Sequence, residues 1–189
     1  GFKNAGQAAS NLTVVATLDK PTGFFDPENP AGLPLPRVRK GEGQSNEGTE
    51  WSDRSPLLSF AQTDMAFKGD LLVTGNYHGF NIYRLPAGKA PALLSSVVCP
   101  GGQGDVSIVG TLLIMSVEQT LGRVDCGRQG VKEEVSAERF RGLRIFDISD
   151  LTNPRQVGQV QTCRGSHTHS VVYEDKDRIV VYNSGTAGV

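Results

Sequence analysis

The residues of this chain best equipped for chemistry recur at one point of a repeated pattern. Gln62-Thr63-Asp64, Gln103-Gly104-Asp105 and His167-Thr168-His169 each introduce an apolar run. Two carboxylates (Asp64, Asp105) and two imidazoles (His167, His169) make a donor set for a divalent cation, calcium or zinc. With Gln62 and Gln103 they equally suit a pocket for a polar ligand. A His-x-His pair on a strand places both rings on one face, as joint ligation requires. The three triplets lie far apart in sequence, so this chemistry exists only if the fold gathers them.

A plainer role competes. Aspartate at a strand start accepts backbone N–H bonds from a neighbouring element and holds it in place. Structural capping, ligand or metal binding, and catalysis by a metal-assisted hydrolase or lyase are therefore all open. The chain has no Gly-x-Ser-x-Gly elbow, no phosphate-binding glycine loop and no His-Glu-x-x-His zinc helix. A nucleophilic pair of Cys163 with His167 or His169 lacks an evident third group to orient it.

The elements that must position these residues come from internal repetition. The segment 64–73 aligns with 105–114, and a third copy begins at His169-Ser170-Val171-Val172-Tyr173 and resumes at Ile179-Val180-Val181-Tyr182. Each copy is an apolar strand, a tight turn and a second apolar strand, which is a β-hairpin. Next, Gly79-Phe80-Asn81-Ile82-Tyr83-Arg84-Leu85 matches Gly142-Leu143-Arg144-Ile145-Phe146-Asp147-Ile148, with the alternation of a half-buried strand. A proline turn (Ala90-Pro91, Asn153-Pro154) leads to an outer strand over 93–98 or 156–162. Residues 117–141 have no counterpart in the first unit and form an insertion; discounting them, the repeat is about 40 residues long.

Four short antiparallel strands per about 40 residues make one blade of an all-β propeller. About two and a half blades are expected over 62–189, starting near residues 62, 103 and 167. A solenoid of stacked hairpins is the alternative, but it has no need of the proline turn and outer strand. Residues 1–61 read as an N-terminal extension: an outer strand at 11–18, then a long irregular loop rich in Pro, Gly, Asn and charge. Trp51, the only tryptophan, is expected to anchor that loop by burying its ring. Nothing after the last strand closes a ring, so further C-terminal sequence is expected to complete the propeller.

A formal charge of −1 provides no electrostatic footprint for nucleic acid. No apolar run approaches the roughly 20 residues of a membrane-spanning helix. Three cysteines are compatible with an oxidising compartment, and the odd number leaves one without a partner inside this sequence. Cys99 and Cys163 read as equivalent positions, and Cys126 lies in the insertion. A Cys99–Cys126 bridge, tying the insertion to its own blade, is the first expectation and Cys163–Cys126 the second. The insertion is charged, with a short helical turn expected at 136–140, and His78, at a hairpin turn, is expected to be a surface or turn residue.

The strings Gly142-Leu143-Arg144-Ile145-Phe146-Asp147-Ile148-Ser149-Asp150 and Thr152-Asn153-Pro154 resemble the LVIVD-repeat family of bacterial secreted and surface proteins. So do Cys99-Pro100-Gly101-Gly102-Gln103-Gly104-Asp105 and Cys163-Arg164-Gly165-Ser166-His167-Thr168-His169. The resemblance covers about 62–189 and implies a β-propeller-like fold in a secreted, periplasmic or cell-surface protein. It says little about chemistry, because fold does not fix function. The functional expectation is a non-catalytic binding or scaffold module whose partners are other proteins or surface components.

Overall fold

The computed structural model describes residues 6–18, 21, 24, 62–120, 122–131, 133 and 135–186. Trp51 and the loop expected over 19–61, apart from Pro21 and Phe24, lie outside them.

The described chain is all-β, with no helix, in antiparallel sheets of four, four and two strands. The first sheet holds β1 (Gln62–Lys68), β2 (Leu71–Asn76), β3 (Gly79–Arg84) and β4 (Ala92–Val98) in sequential order. The second repeats this with β5 (Val106–Val109), β6 (Leu112–Val117), β7 (Gly142–Asp147) and β8 (Arg155–Gln161). The last two strands, β9 (Thr168–Glu174) and β10 (Ile179–Ser184), form a hairpin. The first strands neighbour one another in turn, β1 beside β5 and β5 beside β9.

Apolar side chains on facing surfaces join the sheets. Val73, Phe80 and Ile82 of the first sheet pack against Val106, Leu113, Met115 and Phe146 of the second. Phe80 and Phe146 meet edge to face, their ring centroids 4.9 Å apart at 71°, an arrangement worth about 0.5–1.5 kcal/mol beyond area burial. On its other face the second sheet offers Val109, Ile114 and Leu143 to Val171, Ile179 and Val181 of the hairpin. Polar ties supplement the packing: Lys68 Nζ donates to Gly110 O at 2.6 Å and Ser95 Oγ to Leu151 O at 2.7 Å.

This sandwiching corrects the half-buried expectation for the third strands. β7 is covered on both faces, so Leu143, Arg144 and Phe146 are all buried although their side chains alternate.

Glycine fixes the start of each third strand. Gly79 and Gly142 have φ of +140° and +147°, and an added Cβ would lie 1.9 Å from Val97 O and 2.0 Å from Val160 O. Only glycine tolerates both the dihedral and the approach.

Ladder register corrects the sequence alignment of the third unit by one residue. Before the insertion, equivalent residues are 41 apart (Leu71 and Leu112); after it they are 63 apart (Gly79 and Gly142). Cys99 donates its N–H to His78 O and Thr162 donates its N–H to Arg141 O, so Cys99 corresponds to Thr162, not to Cys163. By the same offset Thr168, rather than His169, stands at the position of Asp64 and Asp105. His169 corresponds to Val106, and both correspond to Met65.

One other expectation is corrected. Residues 11–18 form no strand; they are unpaired, with Leu12, Val14, Val15 and Leu18 exposed, since the described sheets leave no third strand free to receive an outer one. Of the two readings of His78, surface or turn residue, the turn holds: it stands between β2 and β3 and is buried there, its N–H donating to Asn76 Oδ1 at 2.8 Å.

Candidate functional site

The two aspartates of the repeated triplets perform the same task one sheet apart. Asp64 Oδ2 accepts the N–H of Val106 at 2.8 Å, and Asp105 Oδ2 accepts the N–H of His169 at 2.7 Å. Asp64 lies near the start of β1 and Asp105 just before β5, and each donor lies at the start of the next first strand, Val106 opening β5 and His169 standing second in β9. A first strand has one ladder edge unpaired, and a carboxylate satisfies one of its N–H groups there.

His169 completes the group. Its side chain is fully buried, with Nδ1 2.8 Å from Asp105 Oδ2 and 2.8 Å from Ser116 Oγ. Ser116 Oγ is 2.7 Å from Ser166 Oγ. Burial works to raise the Asp105 carboxyl, but hydrogen bonds and charge from His169, helped by Asp64, hold it below the ordinary value. A serine, a histidine and an aspartate are therefore in contact, yet not as a catalytic relay. A relay needs serine and carboxylate on opposite ring nitrogens, whereas here both meet Nδ1, and Nε2 is buried without a hydrogen-bond partner.

The remaining triplet residues are placed elsewhere. His167 precedes β9 instead of lying on it, so strand alternation does not align its ring with that of His169. It is partly exposed, with Nδ1 2.5 Å from Glu118 Oε2. Gln62 Nε2 donates to Asn81 Oδ1 at 3.4 Å, and Asn76 Nδ2 donates to Gln62 Oε1 at 3.5 Å. Gln103 contributes backbone: its carbonyl accepts the Thr63 hydroxyl and its N–H reaches Glu118 Oε1 at 3.3 Å. Among the described residues no three His, Cys, Asp or Glu side chains are grouped to hold a metal ion. The expected set of Asp64, Asp105, His167 and His169 divides between sheet-to-sheet bonds and a separate His167–Glu118 pair.

The insertion is a built surface. The Cys99–Cys126 disulfide ties it to the first sheet, and Cys163 is a free, exposed thiol. Arg123, with its side chain 7% exposed, binds Asp125 at 2.8 Å and Glu138 at 2.6 Å and donates to Gly130 O at 3.2 Å. Those bonds raise the Arg123 guanidinium and depress the Asp125 and Glu138 carboxyls. A bridge between Arg123 and Arg139 replaces the expected helical turn at 136–140 with a turn and a β-contact. Val131 and Phe140 are buried beneath, while Val135 is 91% exposed. Beside this loop, His78, Pro100, Arg128 and Gln129 line a pocket of about 370 Å³.

Sequence reasoning missed Arg144, which is buried without trace of exposure. Its guanidinium lies 5.4 Å from the centre of the Phe140 ring, and burial pushes its pKa down to about 10. The available signal was an arginine at the position of Asn81 in a strand covered on both faces. Ser116, Ser166 and Glu118 were also missed, because only the fold brings them to the histidines.

Comparison with family models, with curated proteins and with solved structures returned no match.

Proposed function

We propose that this chain is part of a secreted or cell-surface β-propeller of the LVIVD-repeat kind, serving as a non-catalytic binding or scaffold module. Its recognition surface is the insertion, which the ladder bounds to 118–141 because Val117 ends β6, and the adjoining pocket. The observation that carries this reading is the way the insertion is fastened: one disulfide, one buried arginine with two carboxylate partners, and two buried apolar side chains. A loop held this firmly has its ordering entropy removed before a partner arrives, which favours affinity. Its outward residues, Arg128, Gln129 and Val135, offer charge, amide and apolar contact. The bridge suits an oxidising compartment, and among the described residues no helix is long and apolar enough to cross a membrane.

The propeller reading is supported by successive first strands standing side by side and by sheets packing face to face. It is supported further by equivalent faces. Met65 and Phe67, each 59% exposed, hold the positions of Val106 and Ile108, which the first sheet covers. A further sheet of the same repeat would cover them.

The alternative of a metal-dependent hydrolase or lyase at the channel mouth gains no specific observation, since Asp64 and Asp105 are engaged in capping and the His169 ring is sealed from solvent. The test is binding to an array of surface polysaccharides, peptidoglycan and extracellular proteins. Wild type is expected to bind a member of the array, and Arg128→Glu with Val135→Asp is expected to abolish that binding while the far-ultraviolet spectrum stays unchanged. Turnover of a hydrolase or lyase substrate that disappears with His169→Ala in a folded protein would overturn the reading.

A further inference from the structure

The Arg144 guanidinium is buried with hydrogen bonds to carbonyls and sulfur, and to no carboxylate. Nη1 donates to Cys99 O at 3.3 Å and to Pro100 O at 3.5 Å, touches Cys99 Sγ, and lies 3.5 Å from Cys126 Sγ. Nη2 donates to Arg123 O, and Nε has no partner. Asp125, the acid that acts on Arg144 through space, has both its oxygens bonded by Arg123. A buried cation without a paired anion is unfavourable, and here the group nearest its charge is a sulfur that becomes an anion if the disulfide opens.

We propose that Cys99–Cys126 is a thiol–disulfide exchange site for dithiol reductants, with Cys99 as the leaving thiolate and Arg144 as the residue that stabilises it. Cys126 is partly exposed and Cys99 fully buried, which sets the direction of attack. A thiolate of the external dithiol attacks Cys126 Sγ, the S–S bond breaks, and its electron pair goes to Cys99 Sγ beside the guanidinium. The second thiol of the reductant, once deprotonated, attacks the mixed disulfide; its proton passes to solvent and Cys126 leaves as a thiolate. The dithiol is oxidised by two electrons and the protein bridge is reduced by two. Departure is faster the lower the pKa of the leaving thiol, and an adjacent arginine lowers a cysteine pKa. Arg144 acts through charge on Cys99, so it is a positioning and stabilising residue.

The experiment uses the full chain with Cys163→Ser, which removes the exposed free thiol from the readout. In the added background of Cys126→Ser, thiolate absorbance against pH gives the pKa of Cys99. A value at least one unit below the ordinary thiol value of about 8.5 is expected, rising toward it with Arg144→Met. Reduction of the intact bridge by dithiothreitol at neutral pH is expected to slow about tenfold in Arg144→Met and to be partly restored in Arg144→Lys. A monothiol trap should leave its adduct on Cys126. A Cys99 pKa at or above 8.5 overturns the proposal, as does an adduct found on Cys99. If Arg144→Met does not fold, the pKa in the presence of Arg144 and the site of the adduct still decide.

Discussion

Asp105 Oδ2 accepts the backbone N–H of His169 at 2.7 Å and lies 2.8 Å from the Nδ1 of the same residue. One carboxylate oxygen thus fixes both the main chain and the ring of a residue at the start of β9. Asp105→Asn keeps the shape but halves the acceptor capacity and removes the charge. It is expected to destabilise the protein by about 1–3 kcal/mol, the range for charged hydrogen bonds and unmet buried partners, measured by urea unfolding. Asp64→Asn, which loses only the bond to Val106, is expected to cost less.

Acid should erase that difference. Because folding holds the Asp105 carboxyl below its ordinary value, its contribution is fully present above the unfolded pKa of about 3.9 and fades as pH falls through the lower folded value. The gap in thermal midpoint between wild type and Asp105→Asn should be constant near neutrality and narrow below about pH 4. A gap that widens on acidification would reverse the assigned sign.

Gly79 and Gly142 should be intolerant of any side chain. Each combines a positive φ with a carbonyl where Cβ would stand. Gly79→Ala and Gly142→Ala are each expected to cost more than about 2 kcal/mol from backbone strain alone, with the clash adding to it. Calorimetry of the two variants checks this, and a loss below 1 kcal/mol would contradict it.

Arg123 should govern the insertion without governing the sheets. Arg123→Ala removes the bonds to Asp125, Glu138 and Gly130, so amide exchange over 122–141 is expected to quicken about tenfold while β2, β3, β6 and β7 keep their protection. Uniform acceleration across both regions would show that the loop is not a separable unit.

The repeat was legible in the sequence because turn chemistry and strand patterns recur with it: the hairpins, the proline turns and the outer strands over 93–98 and 156–162 all stand where their residues indicate. The Cys99–Cys126 bridge forms as expected, but it ties the insertion to the end of the first sheet and not to its own blade. What sequence did not reveal depends on register. A one-residue slip is invisible in an apolar run but moves a side chain to the opposite face, and so His169 read as a channel ligand when it is a buried residue facing Asp105. Arg144 was hidden for a related reason: nothing local distinguishes a strand with one covered face from one with two. Segment 12–18 has strand composition without a ladder to join, and composition alone does not make a strand.

Titration of calcium and zinc into metal-free wild type and Asp105→Asn, followed by calorimetry, addresses the central claim most directly, that the strand-start carboxylates serve the fold. The account predicts no stoichiometric binding to either protein and a lowered unfolding temperature in Asp105→Asn. One ion bound per chain by wild type and lost in Asp105→Asn and His169→Ala, with unfolding temperatures unchanged in metal-free buffer, would contradict it.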